Sequence, residues 1–293
     1  MIFEGKEFAK GKETELRARV EELKGKGIIP KLVSILADIT PESRLYVSLK
    51  AKFAQRVGII FEVHHFDGAP TKTIIDDIQK ANTDSTVHGI MVQLPVVDEE
   101  EIVQAIDPRK DVDCLTPKNL GLILSGQPRV LPATVKAVIE IIKSAKPSTR
   151  AQAEGLKVQS LEDEKWLAGE NVVIVGASII VGKPLAILLS DLGATVTICR
   201  SRTENLAEVT KKADILVSAT GVNELVTKEM VKPGAMVIDV GISKLLRGGK
   251  FRVVGDVAKN VLERAAFFTP VPGGVGPVTV ACLFENLVNL LSF

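Results

Sequence analysis

The sequence predicts an α/β fold in two domains, the second of them Rossmann-like. Three observations carry that prediction. Short apolar runs alternate with amphipathic segments across residues 31–106 and again across 171–255. The runs are apolar almost throughout, as strands of a parallel sheet covered on both faces are. One run, Val172–Val175, ends at Gly176 and leads to Gly182-Lys183-Pro184, a strand, glycine turn and helix start.

Element by element, residues 6–26 read as an exposed helix rich in Lys, Arg and Glu. Lys31–Ala37 is an apolar strand. A helix spans 41–57, with Pro41 suited to its first turn and Leu45, Leu49, Phe53 and Val57 marking one apolar stripe. Ile59–His64 is a second strand, 71–82 a helix, and Gly89–Leu94 a third strand ended by Pro95. A short helix covers 98–106. This alternation gives parallel strands with right-handed crossovers. Residues 134–146 form a helix leading into the second domain, and 146–166 are a polar, irregular excursion. There follow strands at Asn171–Val175, Ala194–Cys199, Ile215–Ala219, Met236–Val240 and Val253–Gly255, with helices at Gly182–Asp191 and Leu206–Lys211. An apolar helix over 278–292 returns to the first domain. The division is 1–134 with 274–293, and 135–273.

The 293 residues suffice for two ordinary domains. A hydrophobic share of 46% and a net charge of +1 describe a soluble globular protein with real cores. That charge argues against electrostatic binding of nucleic acid, and 4% aromatic residues leave little for base stacking. Cys114, Cys199 and Cys282 form no CxxC pair, and His64, His65 and His88 build no metal constellation, so no metal is expected. The start of the chain has no signal-peptide apolar core, and no apolar run is long enough to span a membrane. A cytoplasmic protein is the expectation.

Three loop segments stand out for their chemistry. Pro270-Val271-Pro272-Gly273-Gly274-Val275-Gly276-Pro277 holds three prolines and three glycines in eight residues. Such a segment resists helix and strand alike. A tight surface turn needs two special residues rather than six, which favours a shaped loop at the mouth of a cleft. The Gly176–Gly182 turn is neither GxGxxG nor a P-loop. Its glycines are one residue too far apart for the latter, and Pro184 stands where Ser or Thr would hold a metal ion. A tight turn and a helix N-terminus that favours phosphate remain; a plain strand–helix turn is the alternative. At the end of the next strand, Arg200-Ser201-Arg202-Thr203 offers two guanidiniums and two hydroxyls and no acid. That chemistry suits the 2′-phosphate of NADP rather than the 2′-hydroxyl of NAD, against the plainer reading of a solvated basic turn. Glycines at Gly221 and in Asp239-Val240-Gly241-Ile242 stand at further strand ends.

On the predicted 41–57 helix, Tyr46 and Lys50 project from one face at i, i+4. Alone, such a pair is more often an exposed Lys beside a half-buried Tyr. Gln93 places a lone amide at a strand's carboxyl end, where α/β proteins bind ligands. Asp111 and Asp113, i and i+2 in a loop, are either a turn or a grip on a nitrogen-rich ring.

Together, Tyr46-Val47-Ser48-Leu49-Lys50, Gly89–Pro95, Lys110-Asp111-Val112-Asp113 and Pro270–Pro277 resemble, in order and approximate spacing, the bifunctional methylenetetrahydrofolate dehydrogenase/methenyltetrahydrofolate cyclohydrolase family. The Gly176–Pro184 turn is similar to that family's cofactor motif. The resemblance implies two domains around a cleft, with folate on 1–134 plus 274–293, NADP on 135–273, and a homodimer. Carried over by position, Lys50 is the main catalytic residue, Gln93 tunes it, Asp113 hydrogen-bonds the pterin and Tyr46 stacks on the folate. Pro270, Gly273 and Gly274 line the folate site. Gly176, Ser178, Ile180, Val181, Ser201, Gly221 and Ile242 border the cofactor. The partners so implied are small molecules, with neither nucleic acid nor membrane.

The sequence departs from that pattern in places. Cys114-Leu115-Thr116 follows Asp113 where Gly, an aromatic or Leu, and His are usual. Pro132-Ala133-Thr134-Val135 replaces Pro-Cys-Thr-Pro, and Asp38–Ser43 lacks the usual Gly-Asp/Asn-Asp start. The 146–166 segment is longer than usual. Ala177 stands where an Arg commonly helps hold the 2′-phosphate, and Arg200 where a His is common; Arg200, with Arg202, is expected to take over that contact. The lost Arg leaves NAD use open. Other readings are a single-activity cyclohydrolase, a shikimate-type NADP dehydrogenase and a non-catalytic nucleotide-binding regulator. The shikimate-type reading gives no reason for the Pro270–Pro277 loop.

Overall fold

The computed structural model describes residues 1–37, 40–146, 165–247 and 250–291. The polar 146–166 excursion lies, from 147 to 164, outside the described residues, as do Asp38 and Ile39 of the 38–43 loop.

In chain order the elements are α1 (Gly5–Gly25), β1 (Lys31–Leu36), α2 (Pro41–Val57), β2 (Ile60–His65), α3 (Thr71–Thr83), β3 (Gly89–Val92), α4 (Glu99–Gln104), α5 (Pro117–Leu124) and α6 (Ala133–Ala145). They continue with β4 (Asn171–Val175), α7 (Gly182–Asp191), β5 (Thr195–Cys199), α8 (Leu206–Thr210), β6 (Ile215–Ser218), β7 (Met236–Asp239), β8 (Ser243–Arg247), β9 (Lys250–Val254), β10 (Phe267–Phe268) and α9 (Val275–Leu290). Two compact units result, one of Glu7–Ala133 with Thr279–Phe293, the other of Met1–Lys6 with Thr134–Val278.

The amino-terminal unit is built on a parallel sheet of order β2-β1-β3. β1 is buried along nearly its whole length, as the central strand of three should be. Isoleucines of α3 and α4, among them Ile74, Ile78 and Ile102, close one core against Val33, Ile35, Ile90 and Val92. Phe284 of α9 stacks on Phe53 at 5.4 Å and meets Phe61 edge-on at 5.9 Å. Gly89 lets β3 approach this layer, since a Cβ there would lie 2.4 Å from Val112 Cγ1 and 2.7 Å from Leu287 Cδ1.

Two expectations need correcting here. α1 is not simply exposed: Ala9, Leu16, Val20 and Leu23 are buried, at the spacing of one helical face. On α2 the buried apolar residues include Val47, Phe53, Ala54 and Val57, whereas Leu45 and Leu49 are 51% and 46% exposed. Each i+4 step advances about 40° beyond a full turn, so a stripe spaced strictly by four slides off the core face within three steps. α5 was not anticipated. Thr116 caps it by accepting from the Asn119 N–H, and Pro117 opens it.

The second unit carries a five-stranded parallel sheet of order β10-β7-β6-β4-β5. Its core joins Val173, Val175, Leu216, Val237 and Phe268 to Val226, Val231 and Val261. The run ending at Gly255 was expected as another parallel strand. It instead pairs antiparallel with β8 as a hairpin, Ser243 opposite Val254. Lys250-Phe251-Arg252-Val253 alternates polar and apolar residues as a two-stranded ribbon does, and does not suit a buried central strand. The short β10 takes the edge beside β7, and Ile2 bridges to Phe268 on its other side.

Candidate active site

In the amino-terminal unit, α2 begins with a capping box. Thr40 accepts from the Ser43 N–H, and the Ser43 side chain caps Thr40 in return. This fixes the first turn and, from it, the azimuth of Tyr46 and Lys50. Both are half-buried. Lys50 Nζ donates a 2.8 Å hydrogen bond to Gln93 Oε1. Gln93 is placed by the sheet: its N–H continues the β1–β3 ladder by donating to the Ile35 carbonyl at 2.9 Å. Its amide N–H faces the Leu94 carbonyl at 3.3 Å, and the Leu94–Pro95 bond that follows is cis.

The chain returns beside β3 at residues 110–112, where the Ile90 N–H donates to the Lys110 carbonyl at 2.7 Å. This brings Asp111 and Asp113 to the same end of the sheet and separates their tasks. Asp111 is fully buried and holds the loop together. Its carboxylate accepts from the N–H groups of Leu115 and Thr116, the Thr116 hydroxyl and the Asn119 amide. Asp113 accepts from the Ala133 N–H at 3.2 Å and is electrostatically coupled to Lys50. Burial lowers Lys50 to about 8, an effect that the Asp113 charge partly offsets. Burial raises Asp113 to about 6, partly offset in turn by Lys50. Burial also raises Tyr46. Lys50, Gln93 and Asp113 therefore form one coupled cluster, with Tyr46 one turn before Lys50 on the same helix. Cys114, next to Asp113, is buried at φ 56.

In the second unit the predicted cofactor residues stand at the carboxyl edge of the sheet. The chain runs from β4 outward to β5 and then back past β4 to β6, so the topological switch point lies between β4 and β6. Gly176 sits there at φ 119; a Cβ on it would lie 2.3 Å from the Ala219 carbonyl oxygen, and one on Gly182 would lie 2.0 Å from the Gly176 carbonyl oxygen. Ser178 Oγ accepts from the Val181 N–H at 3.1 Å. Ile180 and Val181 carry the chain into α7, whose N-cap Val181 supplies no side-chain cap; the Lys183 N–H donates to the Ser178 carbonyl at 3.0 Å and Pro184 has no N–H. Arg200, Ser201 and Arg202 are exposed where β5 ends, with the Arg200 N–H bonded to Thr203 Oγ1 at 2.8 Å. Gly221, at φ 72, and Ile242 face each other: the space for a Cβ on Gly221 ends 3.9 Å from the Ile242 carbonyl oxygen. A close-approach turn leading into a helix N-terminus, with exposed guanidiniums at the neighbouring strand end, suits a phosphorylated dinucleotide.

Pro270, Gly273 and Gly274 follow β10 in this second unit. Gly274 N–H donates to the Pro270 carbonyl at 2.7 Å, and the loop packs where a Cβ on Gly5 would strike the Gly274 carbonyl. From sequence, Asp239 was noted only beside its glycine, and Thr220 and Asp256 were given no role; both acids are fully buried. Their signal is an acid next to or one residue from a glycine at the end of an apolar run.

Comparison with known proteins bears on both sites. The profile "Tetrahydrofolate dehydrogenase/cyclohydrolase, catalytic domain" matches residues 3–113, and "Tetrahydrofolate dehydrogenase/cyclohydrolase, NAD(P)-binding domain" matches residues 153–292. The bifunctional protein FolD of Exiguobacterium sp. is 41% identical over 297 residues, covering 100% of this chain and 99% of the relative. That of Bacillus subtilis is 41% identical over 293 residues, covering 98% and 96%. Among solved structures, the Trypanosoma brucei methylenetetrahydrofolate dehydrogenase-cyclohydrolase, complexed with NADP cofactor and inhibitor, has a TM-score of 0.88 at 34% identity, covering 100% of this chain and 97% of that one. The Campylobacter jejuni FolD has a TM-score of 0.86 at 36% identity, covering 100% and 98%.

Proposed function

The chain belongs to the tetrahydrofolate dehydrogenase/cyclohydrolase family, and from that membership and the geometry of its two units we propose how it works. It oxidises 5,10-methylenetetrahydrofolate to 5,10-methenyltetrahydrofolate with NADP, then hydrolyses the product to 10-formyltetrahydrofolate. The Glu7–Ala133 unit, with the end of α9, binds the folate, and the β4–β10 unit binds NADP.

The hydrolytic step is carried by the Lys50–Gln93 hydrogen bond. Water attacks the methenyl carbon and loses a proton to neutral Lys50 Nζ. The C–N5 bond of the resulting carbinolamine then breaks: N5 takes the proton from the lysine ammonium, and the carbinol O–H proton leaves to solvent as the C=O of the N10-formyl group forms, which is the net proton the reaction releases. With its ordinary value Lys50 would be neutral in roughly 0.03% of molecules at pH 7; at about 8 the share is about a tenth. Gln93 orients Nζ without adding a charge that would hold it protonated. Asp113, ionised at neutral pH, accepts from the pterin N–H groups, and the Tyr46 ring stacks on the folate. Pro270, Gly273 and Gly274 border the same substrate.

For the oxidation, NADP when bound supplies the hydride acceptor, so the chain's part is alignment rather than strong base chemistry. The Gly176–Val181 turn offers backbone N–H groups to the pyrophosphate. Arg200 and Ser201, with Arg202, hold the 2′-phosphate in place of the arginine that Ala177 lacks. Gly221 and Ile242 border the nicotinamide half.

A homodimer, for which the edge strand β2 with exposed Ile60 offers a surface, and a cytoplasmic location, consistent with three free buried cysteines, complete the reading. Light scattering on purified protein tests the first. The function is tested by a paired spectrophotometric assay, methylenetetrahydrofolate with NADP and then methenyltetrahydrofolate alone. NADP reduction and methenyl loss above the buffer rate are expected. Methenyl loss without reduction of NADP would leave a cyclohydrolase and overturn the dehydrogenase half.

A further inference from the structure

The two loops at the ends of β6 and β7 are held from beneath by a pair of buried carboxyl groups that interlock with two glycines. Asp239 ends β7 and Asp256 follows β9; they are 1% and 0% exposed. Asp256 Oδ1 lies 1.8 Å from where a Cβ on Gly241 would be, and Asp239 Oδ2 lies 1.9 Å from where a Cβ on Gly255 would be. Each carboxylate thus fills the space that the glycine beside the other acid leaves open. Asp239-Val240-Gly241 and Gly255-Asp256 fit only as a set.

The hydrogen bonds run in one direction, towards the loop that follows β6. Asp239 accepts from the N–H groups of Gly241, Asp256 and Val257, each at 3.0 Å, and so fixes the backbone that bears Asp256. Asp256 Oδ2 then accepts from the Ser218 hydroxyl at 2.9 Å, the Thr220 N–H at 2.6 Å and the Thr220 hydroxyl at 2.8 Å. Thr220 Oγ1 in turn accepts from the Val222 N–H at 3.1 Å. At the end of this relay are Gly221 and Ile242, and beside them Val222 and Ile242 are 52% and 47% exposed, an apolar surface at a ligand-binding edge.

Sheet order gives these loops their place. Arg200 and Gly176 end β5 and β4, on one side of the switch point; Gly221 and Ile242 follow β6 and β7 on the other. A dinucleotide with its 2′-phosphate at Arg200 and its pyrophosphate at Gly176 extends its remaining half over β6 and β7. We propose that Asp256 and Asp239 are positioning residues for the nicotinamide half of the cofactor site, acting through Thr220 and the two glycine loops without touching the cofactor. This rests on the NADP reading above.

The test uses full-length protein carrying Asp256→Asn, Thr220→Val or Thr220→Ser. Three quantities are measured for each: KM for NADP, affinity for 2′,5′-ADP by calorimetry, and hydrolysis of methenyltetrahydrofolate. Asp256→Asn and Thr220→Val should raise KM for NADP by about tenfold, as the loss of buried hydrogen bonds predicts. Affinity for 2′,5′-ADP and methenyl hydrolysis should stay within about twofold, and Thr220→Ser, which keeps the hydroxyl, should restore KM. A merely structural role would lower the yield of active sites, hence kcat, with KM unchanged. If Asp256→Asn does not fold, Thr220→Val decides alone. Unchanged KM, or 2′,5′-ADP weakened in parallel, overturns the inference while leaving the NADP reading intact. Failure of the unsubstituted protein to bind NADP overturns both.

Discussion

Lys50 Nζ lies 2.8 Å from Gln93 Oε1, across 43 residues of chain. A helix cap at one end and a strand ladder at the other set that distance. The partner is a neutral amide, so the contact adds no negative charge that would hold the lysine protonated.

Replacing the amide by a carboxylate tests this. In Gln93→Glu the new negative charge stabilises the ammonium, so Lys50 should titrate above about 8. Methenyl hydrolysis at pH 7 should fall, and part of the loss should return as the pH is raised. A pH–rate profile with an unmoved inflection would contradict the assignment.

Asp113→Asn should do the reverse. The Asp113 charge raises Lys50, so its removal lets burial lower the lysine further, and the alkaline inflection of kcat should move to a more acidic pH. In the unsubstituted enzyme Asp113 itself takes up a proton as the pH falls through about 6. Substrate affinity should decline over that window, read as a rising KM for methenyltetrahydrofolate.

At the second site, Arg200→Ala should weaken NADP by roughly 10- to 150-fold, the value of a charge-assisted bond, and leave NAD affinity near its starting value. Equal losses for both nucleotides in a binding titration would remove Arg200 from the 2′-phosphate.

Gly176→Ala places a methyl group 2.3 Å from the Ala219 carbonyl at a backbone angle of 119° that side chains avoid. The β4–β6 switch point should widen, and NADP affinity should fall by about tenfold or more, while methenyl hydrolysis continues.

Much of this was legible from the sequence, and what was not has physical reasons. The spacing of Tyr46 and Lys50, the apolar run ending at Gln93 and the glycine turn at Gly176 are local signals, and the structure places them on a helix, at a strand end and at a switch point. Leu45 and Leu49 misled because a strict i+4 repeat drifts around a helix. The expected Val253–Gly255 strand was misplaced because the partner of β9, β8, lies just before it, and a hairpin forms more readily than a crossover. The loop-holding role of Asp111 and the Asp239–Asp256 interlock depend on contacts between segments that no spacing rule connects. Of the acids near Lys50, only the fold distinguishes the one that ties its own loop from the one that shares the lysine's field.

The most direct measurement is methenyltetrahydrofolate hydrolysis by Lys50→Met, taken with NADP affinity on the same preparation. We predict hydrolysis no faster than in buffer and NADP binding within about twofold of the unsubstituted protein, since the lysine and the glycine turn belong to different units. Near-normal hydrolysis by that variant would contradict the central role of Lys50.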